Sequence, residues 1–334
     1  MVRARKLFRT GRSGFFLVLL VSVIALVSRV VQAETITVTH WGGQFYGVPY
    51  AVAMEKGFFS KNGVDVTGIL TAAGGGTAVR NTLAGGIPFG EVSLAAAVQA
   101  INSGQKLIIV GAGAQTVADL MWVVKKDSPL TGIKDLVGRQ IAYTAPGSVS
   151  NMLILMALKA NGITQSQVKL VPAGDLGANI SAVSSGAVDA AFSDELVLAQ
   201  NRELVKPLFM ARDAMDPRMM QTVMITTADY ARSHPEIIKG LITARREGLA
   251  YTLQHPDECA DITARAYNNP NTGLFRAHIH ELIKGNFWSD GRFDYAGMNH
   301  MVEGLQITGQ IKGDVDWSKY VDVGYLPADL RPTQ

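Results

Sequence analysis

The chain has 334 residues, a length typical of about two domains, with 48% hydrophobic and 18% charged residues. This composition is typical of a globular protein with a substantial core and excludes a disordered or coiled-coil chain. The single cysteine, Cys259, excludes an intrachain disulfide and a metal site built from cysteines alone.

The first 33 residues have the three parts of a secretory signal. A basic region precedes an apolar run, Phe15–Val27, that is too short for a typical membrane-spanning helix. Val31 and Ala33 are small residues at the positions read by a signal peptidase. We therefore expect cleavage after Ala33 and a periplasmic mature protein, in preference to an uncleaved anchor.

Removing this segment changes the formal net charge from positive to negative. Six of the 31 Lys and Arg residues lie in it and none of the 28 acidic residues, which leaves 25 basic against 28 acidic residues. The basic isoelectric point thus belongs to the export signal and does not indicate nucleic-acid binding.

Strand-like and helix-like segments alternate after Ala33, which predicts βαβ units and a mainly parallel sheet. The predicted strands of the first half are Thr35–Thr39, Val64–Val66, Pro88–Val92 and Leu107–Val110, and its helices are Pro49–Lys56, the segment from Thr77 to Leu83, and Leu94–Ile101. The second half repeats the pattern with strands Met121–Val124, Ile141–Tyr143, Val168–Val171 and Ala187–Phe192.

The halves also align with each other. Gly74–Ser93 matches Gly174–Ser193 in spacing at a constant offset of 100 residues. We expect two similar lobes, with the first lobe at 34–120 and 219–334, the second at 121–218, and Met121–Val124 and Met219–Ile225 as strands that cross between them. Pro235–Leu253 is predicted to be an amphipathic helix with Arg245 and Arg246 outward.

The segment Ile141–Ile163 is predicted to form a strand, a tight turn and a capped helix whose start can bind a ligand. A short strand ends at Pro146-Gly147, and Ser148 or Ser150 then caps a helix that stops at Asn161-Gly162. The free N–H groups at such a helix start favour anions. Because the loops of both halves follow strand carboxyl ends, we expect them to line one cleft between the lobes.

The candidate ligand-binding residues are uncharged donors and aromatic surfaces in these loops, together with one carboxylate. They are Trp41, Gln44, Phe45, Gly76, Thr77, Ser93, Gln115, Gly147, Ser148, Ser150 and Asp194. The aromatic members can equally be core residues, and the polar ones can be caps or turn residues. Whether His40, Arg80 and Asp175 contact a ligand is left open.

Catalytic signatures are missing from the sequence. It has no Gly-x-Ser-x-Gly elbow, Walker loop or His-Glu-x-x-His motif, and the dinucleotide fingerprint at Gly74–Gly76 is incomplete. For His278 and His280 a packing or surface role is favoured over a metal site. Uncharged donors suit reversible binding, so we expect a binding protein that is not an enzyme and needs no cofactor.

The chain resembles the periplasmic substrate-binding proteins of ABC importers, of the sulfonate/nitrate/taurine type in the thiamine-precursor-binding-like superfamily. The resembling segments, in order, are Tyr50–Phe59, Leu83–Gly86, Lys126–Pro129, Leu136–Arg139, Pro146–Ser148 and Gly186–Ala191. The chain departs from the family at Ile87-Pro88-Phe89, where a small residue and an aspartate are usual, which leaves one pocket wall undefined.

The resemblance implies an α/β, two-lobed periplasmic binding protein of type II, each lobe a mainly parallel sheet flanked by helices. It also implies a monomer that captures a small solute, expected to be an anion such as a sulfonate, nitrate or taurine, and delivers it to a permease with a cytoplasmic ATPase. Family-type contacts would fall on Trp41, Gln44, Thr77, Ser93, Ser148 and Ser150. The alternatives are a neutral heterocycle such as a thiamine-precursor pyrimidine as the ligand, a related biosynthetic enzyme, and a sensory module.

Overall fold

The computed structural model describes residues 34–72 and 75–332. The predicted export signal and the Gly74 match lie outside these residues. Within them, no helix is both long and apolar enough to cross a membrane.

Ten strands in the described residues form two separate five-stranded sheets. They are β1 (Thr35–Thr39), β2 (Gly68–Ala72), β3 (Phe89–Ser93), β4 (Leu107–Ala112), β5 (Leu120–Lys125), β6 (Gln140–Tyr143), β7 (Lys169–Pro172), β8 (Ala190–Asp194), β9 (Val205–Met210) and β10 (Thr222–Thr227). The first sheet has the order β2-β1-β3-β10-β4, and the second has the order β7-β6-β8-β5-β9.

Helices cover both faces of each sheet. They are α1 (Val48–Glu55), α2 (Phe58–Lys61), α3 (Gly75–Ala84), α4 (Leu94–Asn102), α5 (Val149–Ala160), α6 (Leu176–Ser184), α7 (Glu195–Gln200), α8 (Ala211–Ala214), α9 (Ala228–Ser233), α10 (Pro235–Gln254), α11 (Pro256–Ala266), α12 (Thr272–Lys284) and α13 (Tyr295–Ile307). We call the first sheet with its helices lobe one, and the second sheet with its helices lobe two.

The two lobes have the same strand topology. In each sheet four strands run parallel to one another, and the fourth position in the order holds an antiparallel strand, β10 in lobe one and β5 in lobe two. The chain therefore passes between the sheets twice, through residues 113–119 and 211–221. The helix α3 and strand β3 correspond to α6 and β8 at an offset of 100 or 101 residues, close to the offset of 100 seen in the sequence.

Capping residues in the sequence determine where several of these helices begin and end. Ser93, Ser148 and Asp175 each accept a hydrogen bond from a backbone N–H in the first turn of the following helix, so the side-chain oxygens fix the helix starts of α4, α5 and α6. The helix α5 ends where Gly162 adopts a positive φ of 74°, which a side chain would disfavour.

Two strands differ from the prediction. Residues 64–66 are not a strand, because the chain first pairs with β1 at Gly68. The strand β9 has no counterpart in the prediction, since its alternation is interrupted by Pro207. The C-terminal segment from Trp317 contains three short 3-10 turns.

A core cluster continues from one lobe to the other through α13. This helix packs on α4 of lobe one and α5 of lobe two, where Gly304 lies against Met152 and Met156. A Cβ atom at Gly304 would approach the Met152 Cβ to 3.1 Å, so even alanine would require its neighbours to shift by a few tenths of an ångström.

The helix α10 contradicts the prediction that Arg245 points outward. Arg245 is fully buried, and its Nε donates to Glu91 Oε2 in β3 at 2.8 Å. Glu91 is also fully buried, and its Oε1 accepts from the Thr222 hydroxyl at 2.7 Å. Arg245 lies four residues after Leu241 and four before Leu249, so its position places it on the apolar face of the helix despite its charge.

We predict that Arg245→Met lowers the free energy of unfolding by about 3–5 kcal/mol, because it leaves the Glu91 carboxylate buried without its partner. Arg246→Met is the matched control, since Arg246 is partly exposed and pairs with Asp329, and its loss should cost less than about 1 kcal/mol. Urea unfolding measures both. Equal costs for the two variants would show that the buried pair contributes no more than a surface one.

Candidate functional site

The two passages between the lobes bring Asp119 and Gln221 together. The Gln221 side chain accepts a hydrogen bond from the Tyr46 hydroxyl at 2.7 Å. Its Nε2 donates to the Thr116 carbonyl and to Asp119 Oδ1, the latter at 3.4 Å. One amide thus links the loop after β1 with both crossing segments.

A second contact joins the lobes directly. Gln44 Nε2 of lobe one donates to Asp194 Oδ2 of lobe two at 3.3 Å. The other carboxylate oxygen of Asp194 accepts from Val197 N at 2.7 Å and so caps α7. Both Gln44 and Asp194 are sequence-predicted site residues, and the structure brings them together. We call Gln44, Tyr46, Asp119, Asp194 and Gln221 the interlobe network.

The carboxyl groups of the network are held in an environment that disfavours charge. Burial raises the pKa of Asp194. Burial, and then the Asp194 charge, raise the pKa of Asp119 well above its ordinary value. The pKa of Tyr46 is also raised well above its ordinary value, first by burial and then by Asp119 and Asp194. A ligand that donates hydrogen bonds or carries positive charge would relieve this repulsion.

Lobe one adds polar groups beside the network. Ser93 pairs with Thr222 in the sheet, and the Leu94 N–H donates to the Gln221 carbonyl at 2.9 Å. A Cβ atom at Gly75, the first residue of α3, would lie 2.6 Å from Ser93 Oγ. The starts of α3 and α4 therefore lie side by side at Ser93, whose hydroxyl accepts from the Ala96 N–H in the first turn of α4.

His40 lies at the same edge. Its backbone is left-handed at φ 51°, and its ring centroid lies 6.4 Å from that of Tyr46. Burial lowers the pKa of His40 and so favours the neutral ring, which offers one donor and one acceptor.

Ser148 and Ser150 belong to a compact hydroxyl cluster in lobe two. Their Oγ atoms are 2.9 Å apart, and Ser150 Oγ is 2.8 Å from the Thr144 hydroxyl. Ser148 caps α5 through Asn151 N. The neighbouring Gly147 carbonyl accepts from Gln310, whose amide also bonds to Gln99 of α4, so this loop is tied to lobe one as well.

Three predicted ligand-binding side chains contact other residues of lobe one and not the interlobe network. Trp41 packs edge-on against Tyr267 with ring centroids 5.0 Å apart. Phe45 is a core residue, 3% exposed, against Phe275 and His278. Gln115 donates to the Asn286 carbonyl at 3.0 Å and braces the loop after α12. None of these side chains bonds to the interlobe network in the part of the chain that the structure describes.

The remaining candidates lie at exposed positions. Gly76 and Thr77 are in the first turn of α3, where Arg80 donates to the Thr77 hydroxyl at 2.7 Å. Asp175 is an exposed cap of α6.

Sequence reasoning missed Asp119 and Gln221. Both lie in irregular segments without a motif, and 102 residues separate them in the chain. The only available signal was their position beside the two strands predicted to cross between lobes.

The two lobes, their strand order and the two passages between them define the fold as that of the two-lobed periplasmic-binding-protein class. The family described as NMT1/THI5 like matches residues 44–259. This range is more than half of the chain, which therefore belongs to that family. The resemblance seen in the sequence is confirmed.

Solved structures show the same fold. The periplasmic aliphatic sulphonate binding protein SsuA from Escherichia coli superposes with a TM-score of 0.71 at 16% identity, covering 87% of this chain and 97% of that one. The ligand-binding component of an ABC-type import system from Staphylococcus aureus, with zinc bound, gives 0.69 at 11% identity, covering 88% and 97%.

A curated relative carries a different activity. The 4-amino-5-hydroxymethyl-2-methylpyrimidine phosphate synthase of Legionella pneumophila is 22% identical over 248 residues, which is 71% of this chain and 75% of that protein. Proteins similar to this chain thus include one named as an enzyme as well as those named as binding proteins.

The raised pKa of Asp119 gives a pH-dependent prediction. An acid with a raised folded-state pKa contributes stability below its unfolded pKa and loses it as the pH rises through the folded pKa. Asp119→Asn cannot ionise, so we expect its melting temperature to exceed that of the unaltered protein by an amount that grows as the pH rises above about 4.

Asp135→Asn is the opposite-sign control. Hydrogen bonds from Thr131 lower the pKa of Asp135, so this variant should become less stable than the unaltered protein as the pH rises. Thermal unfolding across the pH range measures both differences. If the melting temperature of Asp119→Asn minus that of the unaltered protein stays constant or falls as the pH rises, the Asp119 carboxyl group is well solvated.

Proposed function

We propose that the mature protein is the periplasmic solute-binding component of an ABC importer, which binds one small solute between its lobes and delivers it to a permease with a cytoplasmic ATPase. The observation that carries this proposal is the interlobe network, which takes residues from both lobes and both crossing segments. A solute held there would bond to both lobes at once and favour their closed arrangement.

The charges around the network narrow the class of solute. The starts of α3 and α4, with Ser93, Thr77 and Arg80, favour an anionic group on the lobe-one side. Asp119 and Asp194 call for an N–H donor on the other side. A small aminosulfonate of the taurine type satisfies both requirements, whereas nitrate or a simple alkanesulfonate satisfies only the first.

An aminopyrimidine is the second candidate, because its exocyclic amino group would also donate to the carboxylates. The Legionella relative, which is named for a pyrimidine product, favours this candidate. If the protein were instead an enzyme of that kind, the neutral ring of His40 would be the residue at this edge able to move a proton, and a turnover assay of His40→Ala would reveal it.

Calorimetric titration of the purified protein with taurine and with ethanesulfonate, which lacks the amino group, tests the proposal. We expect taurine to bind about tenfold to a hundredfold more tightly, since a hydrogen bond to a charged group contributes about 1.5–3 kcal/mol. Asp194→Asn should abolish most of this preference and leave ethanesulfonate binding unchanged.

Equal affinities for the two sulfonates would contradict the role of the carboxylates. Binding of 4-amino-5-hydroxymethyl-2-methylpyrimidine without binding of taurine would select the heterocycle. If neither class binds between the lobes, the proposed solute class is wrong.

A further inference from the structure

The helix α7 belongs to lobe two but also packs against α12 of lobe one. Leu196, in the first turn of α7, is buried in the core cluster of lobe one with Phe275 and Ile279. Leu198 lies instead against the core cluster of lobe two. Because two residues along a helix are roughly 200° apart around its axis, these two leucines face opposite lobes. The start of α7 thus adds an apolar contact between the lobes.

A polar contact lies beside Leu196. The Nδ1 atom of His278 in α12 is 3.7 Å from Glu195 Oε2 in α7. The other carboxylate oxygen of Glu195 accepts from Arg212 Nη1 at 3.1 Å, and the same Arg212 atom lies 3.2 Å from the Ala118 carbonyl, to which it also donates. Since Ala118 and Arg212 lie in the two segments that cross between the lobes, Glu195 links α12 to both crossings.

The burial of His278 depends on both lobes. The ring is 7% exposed, because Phe45 of lobe one and Glu195 of lobe two both lie against it. Burial lowers the pKa of His278 from 6.5 to about 4, and the negative charge of Glu281 opposes this shift only in part. Moving lobe two away would expose the ring and return its pKa toward the ordinary value.

The carboxylates around His278 already have partners. The neighbouring pairs are Glu195–Arg212 in lobe two, Glu281–Lys284 on α12 and, between α11 and α12, Asp257–His280 and Asp261–Arg276. A proton on His278 would therefore gain little from these compensated charges to offset the cost of burying it.

We propose that the start of α7 is a latch that holds the lobes closed over the solute, and that protonation of His278 releases it. This inference rests on the proposed function, because it concerns how a solute between the lobes is retained and released. Asp194, Glu195 and Leu196 are consecutive, so the carboxylate that contacts Gln44 in the interlobe network is continuous with the residues that contact lobe one. Opening the lobes would uncover Leu196 and His278 together.

The direction of the pH effect follows from linkage. When the pH lies between the two pKa values, closing the lobes removes a proton from His278, so acid favours the open arrangement. Burial raises the pKa values of Asp119 and Asp194, so their protonation in acid favours the closed arrangement instead. The effect of His278 is therefore the difference between the unaltered protein and His278→Gln, which cannot ionise.

Small-angle X-ray scattering of the purified mature protein, without added solute, tests the protonation step through the ratio of closed to open molecules. From about pH 8 to about pH 5 we expect this ratio to fall up to about thirtyfold further in the unaltered protein than in His278→Gln. His280→Gln is the matched control, since His280 is an exposed histidine of the same helix, and it should behave like the unaltered protein.

A pair of leucine variants tests the latch itself. Leu196→Ala removes apolar contact with lobe one and should give a larger radius of gyration at about pH 8 than the unaltered protein, because it stabilises the closed arrangement less. Leu198→Ala makes the same change on the side of α7 that packs within lobe two, so it should keep the radius of gyration of the unaltered protein.

The latch is overturned if Leu196→Ala and Leu198→Ala have the same radius of gyration. Release by His278 is overturned if His278→Gln and the unaltered protein respond equally to acid. Neither measurement uses a solute, so a failure of taurine to bind would contradict the proposed function and leave these results standing.

Discussion

The hydrogen bonds of the Gln221 side-chain amide join the two segments that cross between the lobes and the loop after β1. Gln221 precedes β10, the strand that returns the chain to lobe one, and it bonds to Tyr46 and to the segment that leaves for lobe two. An amide can donate and accept at once, so a single side chain satisfies partners from both directions. This constraint places Asp119 beside Asp194 and gives the protein a polar, partly desolvated surface between two rigid sheets.

The buried charges of the protein divide into two kinds. Glu91 has a partner in Arg245 and a further donor in Thr222, and these bonds tie α10 to the strands β3 and β10 beneath the network. Asp119 and Asp194 accept hydrogen bonds from neutral amides, and their pKa values are raised. A compensated pair stabilises a fold, whereas carboxylates left with only neutral donors favour a ligand that brings the missing charge.

Much of the fold followed from the sequence because its signals are local. Alternating strands and helices, the capping hydroxyls of Ser93 and Ser148, and the repeat at an offset of 100 residues each depend on neighbours in the chain. Gln44, Ser93 and Asp194 were predicted in the same way, as polar residues at or near strand ends, and their role as site residues stays a prediction. The strands predicted to cross between the lobes, Met121–Val124 and Met219–Ile225, correspond to β5 and to the start of β10, and each of these lies within one sheet while the segment before it makes the crossing.

The rest depends on contacts between distant residues. Arg245 was assigned to the surface by its charge, because nothing in α10 reveals that Glu91 faces it from a strand 154 positions earlier. Asp119 and Gln221 resemble ordinary turn residues until the two sheets are placed together. Phe45 and Trp41 carry the same aromatic signal as a stacking residue, and only the packing of α11 and α12 shows that they have partners within lobe one.

The most direct measurement of the solute site is NMR of the side-chain carboxyl carbons of Asp119 and Asp194 during a titration with taurine. If an amino group binds between them, both resonances should shift with the bound fraction, and the pKa values of both groups should fall toward or below the ordinary value. Saturable taurine binding that leaves both resonances and both pKa values unchanged would contradict a solute site at the interlobe network.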